Sequence, residues 1–161
     1  MFGCCVLCLQ GQVSSASGDT DPRFLKQTIE SYGMRCWLDE EQLGTSTKGL
    51  YQGIHAAFRN TKCVILCVSD EYAASANCCM EMQYAIRRVP CIVVAVGTGY
   101  RWRKGIAGYF CSFQEYYDLV VNPFPGTAGG VTQIEKLIGN LRRMLEDPEY
   151  RECWLRACRF N

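Results

Sequence analysis

The chain has 161 residues, 48% of them hydrophobic, and sets 17 Lys and Arg against 16 Asp and Glu for a net charge of +1. That length is enough for one domain with a core of its own. The near-neutral balance speaks against nucleic acid as the main partner, since such proteins carry an excess of basic side chains, and no apolar run approaches the eighteen or so residues of a membrane span.

Cys4 to Leu9 is a short apolar run that predicts a first strand, and the small polar residues Gly11 to Asp21 predict a loop. Asp21-Pro22 opens a helix, with Asp as N-cap and Pro in the first helical position. Phe24, Leu25, Thr28, Ile29 and Tyr32 then recur at helical spacing, and Gly33 supplies the stop. Met34 to Leu38 predicts the second strand, closing on Asp39, Glu40 and Glu41. A loop from Gln42 to Lys48 leads to a helix through Leu50, Ile54, Ala57 and Phe58.

The centre of the chain is Lys62 to Val96. Its apolar runs Cys63 to Val68 and Cys91 to Val96 do not alternate, as expected of strands covered on both faces. Between them lie a Ser-Asp-Glu-Tyr turn at Ser69 and a helix carrying Glu81, a connection that suits a right-handed crossover between parallel strands. Ligands of such sheets settle beyond the carboxyl ends of the strands, where Ser69 and Asp70 fall. Gly97 to Gly108 reads as a basic loop with Tyr100 and Trp102, Tyr116 to Val120 as a last strand, and Asn122 to Gly130 as a loop. Ile134, Leu137, Ile138, Leu141 and Leu145 mark a final amphipathic helix before Pro148. The expected organisation is a domain over residues 1–148 and a helical tail of a turn or two over 149–161. This order of elements predicts a doubly wound α/β domain.

Of the twelve cysteines, Cys4, Cys5, Cys8, Cys63, Cys67 and Cys91 sit in apolar runs, where a reduced thiol behaves as a small hydrophobe. Cys5 and Cys8, three apart on a strand, point to opposite faces, and the single histidine, His55, has no cysteine pair beside it. No metal site is expected. The first residues lack the basic start and small-residue cleavage site of a secretory signal, so the expected location is cytoplasmic. G-x-x-x-x-G-K-S/T and G-x-S-x-G are absent, and Gly97-Thr98-Gly99 lacks a third glycine, which is Trp102 instead. A triad would rest on His55 alone.

Taken together, the segments resemble a TIR (Toll/interleukin-1 receptor) domain. The motifs are Tyr32-Gly33-x-x-Cys36-Trp37-Leu38-Asp39, Leu43-Gly44-Thr45-Ser46-Thr47, and Ser69-x-x-Tyr72-x-x-Ser75-x-Asn77-Cys78-x-x-Glu81-x-x-Tyr84-Ala85. Pro90-x-Ile92, Gly99-Tyr100 and Tyr116-Tyr117-Asp118 complete the pattern. It resembles above all the TIR proteins of invertebrates, and is similar to the NAD-cleaving TIR domains of animals, plants and bacteria. The resemblance implies a flavodoxin-like doubly wound sheet of five parallel strands in the order 2-1-3-4-5. It implies a loop near Glu40 to Gly49 that mediates homo- or hetero-association with other TIR domains.

The resemblance further implies cleavage of the nicotinamide-ribose bond of NAD+, with Glu81 as the catalytic carboxylate. NAD+ is then the substrate, and no cofactor is required. The substrate pocket expected around Glu81 comprises Gln10, Gly11, Asp39, Leu43, Gly44, Ser46 and Asn77. Read from the residues alone, Glu81 is also a plain helix-surface acid able to face Tyr84, Arg87 or Arg88, Asp39 a cap for the next loop, and Gly44 a turn glycine. The chain departs from the enzymatic pattern at Asn77, where an aromatic is usual, and at Cys8-Leu9-Gln10-Gly11, where Ser-Tyr is usual. Trp102 also stands three residues before the usual place of a tryptophan, and reads either as cover for a base or as an exposed interface anchor. Those departures keep open the alternative of a non-enzymatic adaptor in innate immune signalling.

Overall fold

The computed structural model describes residues 5–10, 22–38, 58–59, 61–96, 99–112, 116–119 and 132–159. Strand β1 spans Cys5–Gln10, helix α1 Pro22–Ser31, β2 Arg35–Leu38 and β3 Thr61–Val68. Helices α2 (Asp70–Ala74) and α3 (Ala76–Ile86) lead to β4 (Cys91–Ala95). A 3-10 turn at Arg101–Lys104, helix α4 (Ile106–Cys111) and β5 (Tyr116–Asp118) follow, then α5 (Gln133–Glu146) and α6 (Pro148–Arg159). The strands form one sheet in the order β2-β1-β3-β4-β5, and each neighbouring pair is parallel.

The uninterrupted apolar runs are explained by cover on both faces. On β3, Cys63, Ile65 and Cys67 join Leu25 and Ile29 of α1 and Leu137, Leu141 and Met144 of α5 in one core. Val64, Leu66 and Val68 turn the other way, onto Tyr72, Met82, Ala85 and Ile86 of α2 and α3. β4 divides likewise, with Ile92 and Val94 in the first core and Cys91, Val93 and Ala95 in the second. Two helical layers therefore sandwich the sheet.

Three segments differ from the sequence expectation. The Ser-Asp-Glu-Tyr turn is a short helix, because the Ser69 hydroxyl accepts the Tyr72 amide at 3.1 Å and caps it. The span expected to be a loop up to Gly108 holds the 3-10 turn and the start of α4, whose Ala107 and Cys111 are buried. Only two anchored positions in six residues is too weak a period to read from sequence. The tail is a helix of 12 residues instead of a turn or two, and Trp154 Nε1 donates to the Cys91 carbonyl at 3.0 Å. No helix among the described residues is long and apolar enough to cross a membrane.

Candidate functional site

The carboxyl ends of β3, β4 and β5 carry a connected polar rim. It begins at β3, where two serines divide the following chain into two helices. Ser69 caps α2, and Ser75 caps α3 by accepting the Cys78 amide at 3.3 Å. Tyr72 lies between the caps, fully buried, and its hydroxyl donates to the Cys78 carbonyl at 3.2 Å. That bond ties α2 to the first turn of α3 and fixes the direction in which α3 leaves the rim.

Glu81 stands on α3, roughly 7.5 Å along the axis from Ala76 at 1.5 Å per residue. It is half-buried, because its neighbours one turn away, Cys78 and Ala85, both face the core. Burial raises the Tyr72 phenol well above its ordinary value, and the nearby Cys78 and then the Glu81 carboxylate push it further up. Arg88, which the spacing offered as a partner for Glu81, stacks instead on the Tyr84 ring, 3.7 Å from its centroid. Asn77, one turn before Glu81 on the same side of the helix, is exposed.

Across the rim, Asp70 anchors the chain after β4. Its Oδ1 accepts the Trp102 amide at 2.9 Å, and its Oδ2 lies 3.6 Å from Arg101 Nε. Gly99 approaches the same carboxylate with φ +89°, and a Cβ there would collide with Asp70 Oδ2. Only glycine satisfies both the left-handed backbone and the close approach. Next to it, the Tyr100 and Tyr116 hydroxyls donate to Asp118 Oδ2 at 2.9 and 2.8 Å. Arg103 donates to the Tyr116 hydroxyl, and its guanidinium lies 4.4 Å from the Tyr100 ring centroid and 5.2 Å from that of Tyr116. Burial pushes the Tyr116 phenol up to about 12, the bond to Asp118 adding to the rise and Arg103 opposing it.

The family model of the TIR domain matches residues 17–122. The chain belongs to the TIR domain family. It is similar in structure to the TIR domains of the activated Roq1 resistosome directly recognizing the pathogen effector XopQ. The likeness has a TM-score of 0.53 at 14% identity and covers 87% of this chain and 97% of that one, so it is a likeness of fold. No curated protein matches the sequence.

Within this TIR domain the expected site residues divide unevenly. Glu81 and Asn77 share one flank of α3, and Gln10 ends β1 in register with Cys67 of β3, at the carboxyl edge. Gly11, Asp39, Leu43, Gly44 and Ser46 lie outside the described residues. Trp102 is neither an exposed anchor nor a surface cover for a base. It is only 5% exposed, packed in the second core and 5.8 Å from Tyr116 between ring centroids. Of the basic loop, Arg101 and Arg103 face Asp70 and Asp118. The sequence placed Asp70 on the rim but gave no sign of its bond to Trp102 or of the Tyr100–Tyr116–Asp118 cluster. The one available signal was that Gly99-Tyr100 and Tyr116-Tyr117-Asp118 both belong to the resemblance.

Proposed function

We propose that this TIR domain is an NAD+ glycohydrolase in which Glu81 is the catalytic carboxylate. The observation that carries the reading is the seat of Glu81, half-buried on the flank of α3 between the core-facing Cys78 and Ala85. A carboxylate withdrawn from bulk water acts more strongly on a nearby charge than one in open solvent. The leaving nicotinamide departs as a neutral pyridine, so no general acid is needed to protonate it. The barrier calls for stabilisation of an oxocarbenium-like ribose, which one fixed carboxylate supplies by charge or by holding ribose hydroxyls. Water then gives ADP-ribose, or attack by the adenine end closes a cyclic product. Self-association between TIR domains, through the segment near Glu40 to Gly49, is part of this proposal, as is a cytoplasmic location.

The adaptor reading has one specific observation in its favour. Asn77 stands exposed where an aromatic wall is usual, and Trp102, the tryptophan of the Gly99-Tyr100 loop, is committed to the core. A domain without such a wall can still dock other TIR domains without turning substrate over.

Concentrated, self-associated protein incubated with NAD+ decides between the two. Free nicotinamide is expected from the native chain, and a fall of at least about a hundredfold from Glu81→Gln, the scale of losing one preorganised electrostatic group. Equal release by both proteins removes Glu81 from its role. Silence from an assembled native sample leaves the adaptor.

A further inference from the structure

The opposite end of the sheet holds a cavity of about 530 Å³, lined among others by Tyr32, Met34, Lys62, Arg142, Leu145 and Arg151. Met34 directly precedes β2 and Lys62 is the second residue of β3, so the cavity opens at the amino ends of the strands. The eight residues of β3 separate it from Ser69 by roughly 23 Å, at about 3.3 Å per residue. It is therefore distinct from the Glu81 rim.

Three cations converge there, and Glu146 is the acid of the lining. Two of the cations have a structural task. Arg151 Nη1 donates to the Met144 and Leu145 carbonyls at 2.7 and 3.0 Å, and Lys62 Nζ to the Leu145 carbonyl at 3.3 Å. The pairing of β1 with β3 slips by one residue at Lys62, which lets that side chain reach the end of α5. The helix end presents about half a negative charge, so two full cations exceed what capping requires. Arg142 has no such task. It is exposed, its guanidinium lies 5.6 Å from the Tyr32 ring centroid, and it makes no ion pair with any described residue.

We propose that this cavity binds a small phosphate-bearing ligand, with Arg142 and Arg151 on the phosphate and the apolar wall of Tyr32, Met34, Leu145 and Pro148 available to a base or sugar. The volume lies in the range of small-molecule sites, and the lining sets charged groups beside an apolar wall, as a ligand with a phosphate and an uncharged body requires. Phosphate is favoured over a single carboxylate because a forked guanidinium matches its oxygens and its double charge suits the excess of cations. The inference stands whether or not Glu81 is catalytic.

Inorganic phosphate and AMP, each titrated into the isotope-labelled chain at constant ionic strength, test it. Amide shifts are expected at Gly33, Lys62 and Arg151. Arg142→Gln is expected to weaken binding at least about fivefold and Arg142→Glu to abolish it, with unchanged melting, since this side chain caps nothing. AMP binding more tightly than phosphate identifies a nucleotide as the ligand class, and equal affinities identify free phosphate. Either result supports the site. No shifts at millimolar ligand, shifts confined to the Ser69–Glu81 rim, or equal binding by Arg142→Glu overturns it.

Discussion

Asp70 concentrates more of the rim's geometry in one carboxylate than any catalytic motif in the sequence would announce. Its partners differ in weight. The Arg101 side chain is 94% exposed, so that ion pair adds little. The Trp102 amide, by contrast, belongs to a buried residue, and it donates at 2.9 Å to the partly buried Asp70 carboxylate. Asp70→Ala is therefore expected to destabilise the domain by about 1.5–3 kcal/mol, the range for hydrogen bonds to charged groups. Urea unfolding measures it. Arg101→Ala in the same assay is expected to stay near the native midpoint, and equal effects would mean that the salt bridge, not the amide bond, holds the chain after β4.

Among the elements, α5 has the clearest start. Thr132 accepts the Glu135 amide at 3.2 Å while the Glu135 carboxylate accepts the Thr132 amide at 2.8 Å, completing a reciprocal cap. Those bonds from Thr132 hold the Glu135 carboxyl below its ordinary value. Thr132→Ala is expected to cost about 1 kcal/mol, the usual loss of an N-cap. Because α5 supplies Leu137, Leu141 and Met144 to the first core, that loss should appear in the global unfolding of the domain and not only as fraying. Hydrogen exchange distinguishes the two: faster exchange confined to the first turn of α5 would show that the cap acts locally.

For the molecule as a whole, the tyrosines set a limit at alkaline pH. Tyr72 and Tyr116 both lie above their ordinary value of 10.0, the latter at about 12, so the folded state favours the neutral phenol. The unfolded chain loses these protons first, near pH 10, and there binds fewer protons than the native state. Stability is thus fully present below about pH 10 and is lost as pH rises towards about 12. Melting curves across that window should fall, with phenolate absorbance rising in step. Tyr116→Phe is expected to flatten part of the decline, and an unchanged slope would remove Tyr116 from it.

The local pattern alone determined the parallel α/β class, the buried strands β3 and β4, and the helices α1, α3 and α5. These rest on runs of Val, Ile and Leu and on helical spacing, which report burial directly. The proline and glycine around α1 and the serines before α2 and α3 likewise act on residues within four positions. Glu81 was singled out by the resemblance to the TIR family and not by its spacing, and its surroundings were not legible. Tertiary structure decided the bond between Asp70 and Trp102, the joining of Tyr100 and Tyr116 on Asp118, the burial of Trp102 and the docking of Trp154 on β4. The Asp70–Trp102, Tyr100–Asp118 and Trp154–Cys91 bonds each join residues far apart in the chain, and no local pattern names the partner. A sequence pattern records which face of an element is wet or dry; which distant partner meets that face is settled only when the sheet brings the strand ends together.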